Sequence, residues 1–105
     1  MAKRVPFSLV VSEAAREELD ALRAFEKRQI ADEIEKKLLV DPLAQTRKMK
    51  MLGEVKAGFS YERPLRELKV GNYRVYYNVN EQALTVYVHA IRHKPPHMTT
   101  EEVLQ

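Results

Sequence analysis

Cysteine is absent from the 105 residues, glycine occurs three times, and no apolar run approaches the roughly 20 residues that a membrane-spanning helix needs. Without thiols there is no disulfide framework and no thiolate chemistry, a composition that fits a reducing compartment. The opening Met-Ala-Lys-Arg-Val-Pro lacks the long apolar stretch of a secretory signal. A cytoplasmic, soluble chain with no membrane partner is therefore expected. A Gly-rich phosphate loop, a Ser-centred nucleophile elbow and a paired-carboxylate pattern are all missing, as are internal repeats and low-complexity segments. A chain of this length reads as one domain over residues 1–105, able to build one modest core.

What is present is charge, unevenly placed. Residues 1–46 hold 8 Lys/Arg against 9 Asp/Glu, residues 47–74 hold 8 against 3, and residues 75–105 hold 2 against 3. The first third is a balanced, solvated surface. The middle third is basic enough to attract a polyanion, although a charged loop also serves simply to keep itself in water.

Periodicity places the elements. Pro6 to Val11 is a short apolar strand, and Ser12 suits a helix N-cap with Glu13 in the first turn. A first helix is expected to about Arg23, with Ala15, Leu19 and Leu22 on its buried stripe. In a second helix Phe25, Ile30, Ile34 and Leu38 keep the helical spacing until Asp41-Pro42 stops it. The stretch from Pro42 to Tyr61 is irregular, with Met49, Met51 and Leu52 expected as anchors and Arg47, Lys48, Lys50 and Lys56 exposed between them. Alternation then marks strands at Arg66 to Val70, Tyr73 to Val79 and Leu84 to Ala90, and Thr99 to Glu102 forms a capping box for a short last turn. The fold class is α+β: a two-helix hairpin on one face of a small, mainly antiparallel, twisted sheet whose other face stays concave and open.

Turn geometry brings candidate chemistry together on that open face. The Gly71-Asn72 turn sets Lys69 opposite Arg74, and a four-residue loop at Asn80 to Ala83 is expected to set Arg74 opposite His89. A guanidinium grips phosphate oxygens in a fork and an imidazole titrates near neutral pH, so this row suits phosphate chemistry. Arg74 could instead simply pair with Glu67 across the hairpin. Tyr76 and Tyr87 are candidates to stack on bases, but cross-strand packing is the commoner use of such a pair. His89, His93 and His97 recur every four residues, yet Pro95-Pro96 puts them on a strand end and a loop, so neither a metal site nor a cofactor is expected. His93, between Arg92 and Lys94, is a candidate acid because neighbouring cations favour its neutral form; a plain surface histidine accounts for it equally well.

The opening strand and amphipathic helix Phe7-Ser-Leu-Val-Val-Ser-Glu-Ala-Ala-Arg-Glu-Glu-Leu, the Leu38-Leu-Val-Asp-Pro stop, the Leu52-Gly53 turn, the run Arg66-Glu-Leu-Lys-Val-Gly-Asn-Tyr-Arg-Val-Tyr-Tyr and the closing Ile91-Arg-His-Lys together resemble the RelE/ParE superfamily of type II toxin-antitoxin toxins. That resemblance covers most of the chain. It implies a cognate antitoxin partner. In the RelE-like branch it further implies an enzyme, a metal-independent endoribonuclease that acts in the ribosomal A site on mRNA, with the ribose 2′-hydroxyl attacking the adjacent phosphate. Arg74 corresponds to the family arginine and Lys94 to the basic residue after the last strand. Leu65 and Glu67 stand where two lysines are usual in RelE-like nucleases, and Thr100 or a neighbour where a tyrosine is usual.

Other members of the superfamily use a carboxylate and a histidine instead, which leaves Glu67 as candidate base and His93 or His89 as candidate acid, with Arg74 as phosphate clamp and Lys69 and Lys94 as supporting cations. Arg66, Lys48, Lys50, Lys56, Tyr76 and Tyr87 complete the candidate substrate-binding set. Two alternatives stay open: a ParE-like toxin that poisons DNA gyrase by binding it, and a degenerate toxin kept as an antitoxin-binding module.

Overall fold

The computed structural model describes residues 7–105, so Pro6, expected to begin the first strand, lies outside the described residues. Strand β1 (Ser8–Val11) leads into helix α1 (Glu13–Asp20), whose start is fixed by the Ser12 side chain accepting the Ala15 N–H at 3.0 Å. The helix ends at Asp20, earlier than expected, because Arg23 is already extended backbone and serves as the N-cap of α2 (Ala24–Glu33). A five-residue π-turn, Ile34–Leu38, prolongs α2 and brings Leu38 fully into the core before Pro42.

The sheet has the order β1-β5-β4-β3-β2, with β2 (Met49–Met51), β3 (Arg66–Val70), β4 (Tyr73–Asn80) and β5 (Thr85–His93). Among the described residues only β1 runs parallel to its neighbour; the other pairs are antiparallel. Strand β2 lies inside the stretch expected to be irregular, because three residues carry too little alternation to announce a strand. Met49 is buried as expected, whereas Met51 is exposed at the sheet edge.

Ala15, Ile30, Ile34 and Leu38 from the helical layer pack on Leu68, Val70, Val75, Tyr77, Val86, Val88 and Ile91 of the sheet. Each fully buried aliphatic side chain in this layer stabilises the fold by about 1.5–3 kcal/mol. Phe25, expected on the buried stripe, is instead 78% exposed, since it sits in the first turn of α2, beyond the reach of the sheet.

The second face of the sheet is only partly open. Helix α3 (Thr100–Leu104), started by a complete Thr99/Glu102 capping box, lays Val103 and Leu104 on Leu65, Tyr76 and Ala90, with Leu52, Val55, Phe59 and Met98 around them. An open concave face running the length of the sheet is therefore not what forms.

The strand registers decide what remains together. Lys69 faces Arg74 as expected from the Gly71-Asn72 turn, where Gly71 takes φ +57°. The β4–β5 register differs from expectation. Asn80 pairs with Thr85, and a bulge skips His89, so that Tyr77 faces Val88 while Tyr76 faces Ala90. Arg74 consequently faces Arg92, not His89. The bulge also turns Ala90 to the α3 side, against the simple alternation that grouped it with Val86 and Val88.

Candidate functional site

Two rows of side chains cross the face away from α1 and α2. One runs Lys50, Glu67, Tyr76, Ala90 over β2 to β5, and the next runs Lys69, Arg74, Arg92 over β3 to β5. Where the rows meet the edge of the α3 layer, Arg47, Lys48, Lys50, Lys69, Arg74 and Lys94 line a cavity of about 160 Å³ with Glu67. Six cations thus surround one carboxylate. The Lys94 N–H donates to the Asn72 carbonyl at 2.7 Å, which brings the segment after β5 back over the β3–β4 turn and onto this cavity.

Arg74 is held rather than free. Its Nη1 donates to the Gly71 and Tyr73 carbonyls at 3.0 and 2.9 Å, its Nε lies 3.9 Å from Glu67 Oε1, and its side chain is 12% exposed. These bonds fix the direction of the guanidinium, and the Glu67 contact is the cross-hairpin ion pair that the sequence offered as the alternative role for Arg74. Glu67 itself is 3% exposed although expected on an open surface. Its Oε1 lies 3.5 Å from Lys50 Nζ, its other oxygen has no formed hydrogen bond, and the Tyr76 hydroxyl lies against the carboxylate.

The other candidates are placed apart. Tyr76 is fully buried beneath α3, so it offers no ring to a base. Arg66 points to the opposite side of the sheet, where it faces Tyr77 across β3 and β4 and influences its hydroxyl. Lys56 lies by Glu101, on the far side of the α3 layer. His93 pairs with Tyr73, its ring 5.3 Å from the Tyr73 ring, and does not line the cavity. His89 and Tyr87 line a separate 220 Å³ pocket with Glu62, Asn78 and Asn80. Four strand positions separate Arg74 from Asn78, about 13 Å along β4.

His89 is well defined in that second pocket. Asn78 Nδ2 donates to the Glu62 and Pro64 carbonyls, which makes Oδ1 the acceptor facing His89 Nε2 at 2.8 Å, so that Nε2 carries the proton. One ring face stacks on Phe59, and burial lowers the pKa, opposed only by Glu62. Burial thus favours the neutral imidazole. Among the described residues no three His, Asp or Glu side chains gather as a metal site.

Sequence reasoning missed two arginines. Arg47 lines the cavity; its place in a basic loop was the available signal. Arg92 joins the face because of the bulge, which nothing in the sequence marks. It pairs with Glu18 and donates to the Val103 and Gln105 carbonyls, so it clamps α3 instead of facing solvent.

A family model described as the ParE toxin of the type II toxin-antitoxin system parDE matches residues 9–94. Solved structures with the same fold include the toxin-antitoxin complex RelBE2 from Mycobacterium tuberculosis, at 23% identity and TM-score 0.69, covering 90% of this chain and 98% of the other. The archaeal RelE-RelB complex from Pyrococcus horikoshii matches at 18% identity and TM-score 0.67, over 89% and 98% of the two chains. The isolated RelE toxin of E. coli matches at 16% and 0.52, over 91% and 93%. No curated protein sequence matches.

Proposed function

Because the chain belongs to the ParE toxin family of type II toxin-antitoxin systems, we propose that it is a toxin acting as a metal-independent endoribonuclease on ribosome-engaged mRNA, restrained by a cognate antitoxin. The observation that carries this reading is the cavity of six cations around the buried Glu67. Cations alone suit any polyanion; a carboxylate set among them, with Oε1 turned toward Lys50 and Arg74, suits a polyanion that also presents a hydroxyl. The ribose 2′-hydroxyl beside a phosphate meets both conditions.

In the proposed reaction Glu67 takes the proton of the 2′-hydroxyl as the 2′-oxygen bonds to phosphorus. Arg74, Lys69 and Lys50 oppose the charge that builds on the phosphoryl oxygens. The bond from phosphorus to the 5′-oxygen breaks, and the leaving oxygen takes a proton from the Lys94 ammonium. The products are a 2′,3′-cyclic phosphate and a 5′-hydroxyl. His89 and His93 have no part in this scheme, because neither lines the cavity. The antitoxin partner is supported by the complexes in which similar folds were solved.

A second reading is favoured by the family model itself: a ParE-like toxin that binds DNA gyrase. Controlled expression without antitoxin separates the two. Cuts at set codon positions in translated messages support the nuclease. Intact RNA with gyrase-linked double-strand breaks replaces it with the second reading, and undisturbed growth removes both in favour of a degenerate, antitoxin-binding module.

A further inference from the structure

Tyr76 spends a hydroxyl where a phenylalanine would pack as well. Its ring is wholly covered by Leu65, Ala90, Val103 and Leu104, and its hydroxyl is buried with no fully formed hydrogen bond among the described residues. A buried hydroxyl without a partner costs about 1–3 kcal/mol. The neighbouring Tyr77 shows the ordinary solution: on the other face its hydroxyl donates to the Pro42 carbonyl at 3.0 Å. The group against which the Tyr76 hydroxyl rests is the Glu67 carboxylate, set directly opposite by the β3–β4 register.

Glu67 is equally unusual. One oxygen, Oε1, is shared between Lys50 at 3.5 Å and Arg74 at 3.9 Å, while Oε2 is buried and lacks a formed bond. A short side chain with both oxygens free to rotate would present either of them to the cavity. A donor fixed on one side removes that freedom. We propose that Tyr76 is a positioning residue for the cleavage reaction: its hydroxyl donates to Glu67 and holds the carboxylate in the orientation that presents an oxygen to the substrate hydroxyl. This rests on the reading of Glu67 as the base in the preceding section.

The support extends behind Tyr76. Its ring cannot shift without displacing α3, and α3 is clamped by Arg92, which donates to the Val103 and Gln105 carbonyls while pairing with Glu18 of α1. Gly58 N–H donates to the Leu104 carbonyl at 2.7 Å and closes the other side. Burial also raises the Tyr76 pKa, as does Glu67, so the hydroxyl keeps the proton it donates. A layer that looks like a cover on the sheet thereby sets the direction of one carboxylate.

The test is a double-mutant cycle with Tyr76→Phe and Glu67→Gln, measuring message cleavage by the full chain on programmed ribosomes, with thermal melting of each variant. Tyr76→Phe is expected to lower the rate at saturation about tenfold, to leave the half-saturating concentration unchanged, and to add no further loss in the Glu67→Gln background. p-Aminophenylalanine at position 76, which keeps a donor in the same ring, is expected to restore most of the rate, and it carries the test if the phenylalanine variant melts early. A wild-type rate for Tyr76→Phe, or losses that multiply in the double variant, overturns the positioning role. Unchanged cleavage by Glu67→Gln overturns the reading of Glu67 as base, a result distinct from either.

Discussion

Replacing Glu67 by Gln makes the sharpest demand on the proposed chemistry, because it is expected to tighten RNA binding while stopping cleavage. The side chain is 3% exposed and shares its cavity with six cations, so the substitution keeps shape and removes one negative charge. A phosphate seated on Arg74 and Lys69 would lie about 5 Å from that charge, a repulsion of about 1 kcal/mol in water-like surroundings and about 3 kcal/mol at an effective dielectric of ~20. With Glu67 buried and the phosphate seated from the solvent side, the lower figure sets the floor, and affinity is expected to rise at least about fivefold. Loss of a general base lowers the cleavage rate by about 10²–10⁴. Fluorescence anisotropy with a short single-stranded RNA reads the first effect and a ribosome-programmed cleavage assay the second. Weaker binding, or cleavage at the wild-type rate, would refute the placement of Glu67 at the reacting hydroxyl.

Other consequences follow from the same geometry. Arg47→Ala with Lys48→Ala removes two of the cavity cations while keeping the Lys48 backbone bond to Lys69, and the slope of log affinity against log salt for single-stranded RNA should fall in size by about 1.4. Leu84 holds φ 49° in the β4–β5 loop, a conformation costing about 1–2 kcal/mol for a branched residue but little for asparagine. Leu84→Asn should therefore raise stability by about 0.5–1 kcal/mol and the melting temperature by about 3–5 °C. Burial pushes the Tyr77 hydroxyl up to about 12 from its ordinary 10.0, so the unfolded chain releases that proton first. The stabilisation is complete below pH 10 and is lost as pH rises from 10 through 12, by about 2–3 kcal/mol in total. Urea unfolding of the wild type and Tyr77→Phe at pH 8 to 12 should show the difference between them narrowing over that interval alone.

Much of the architecture was legible because it rests on local chemistry. Ser12 is an N-cap by hydrogen bond, Thr99 and Glu102 close a capping box, and Gly71 carries the positive φ that sets Lys69 against Arg74. The alternation of Val75, Tyr77, Val86 and Val88 with polar neighbours placed the helix-facing side correctly. What failed to show was non-local. The bulge at His89 and Ala90 leaves no mark on a run of valines and tyrosines, yet it moves Arg92 onto the site face and carries His89 to a different pocket. Glu67 reads as exposed from its strand position; only the β2 edge strand on one side and the Tyr76 layer on the other bury it. A five-residue helix gives little hint that it will cover half a sheet face, because its two apolar side chains acquire meaning only when Arg92 draws its carbonyls inward. The basic character of residues 47–74 did carry through, since Arg47, Lys48, Lys50, Lys69 and Arg74 converge on one cavity.

If a fixed guanidinium and a buried carboxylate cut RNA together, the chemistry of the cut ends records it. Messages engaged by ribosomes should yield fragments ending in 2′,3′-cyclic phosphate and beginning with 5′-hydroxyl, and these should vanish with Arg74→Ala in a variant whose circular dichroism matches the wild type. Intact messages in the presence of the wild-type chain, or the same fragments from the Arg74 variant, would contradict the account.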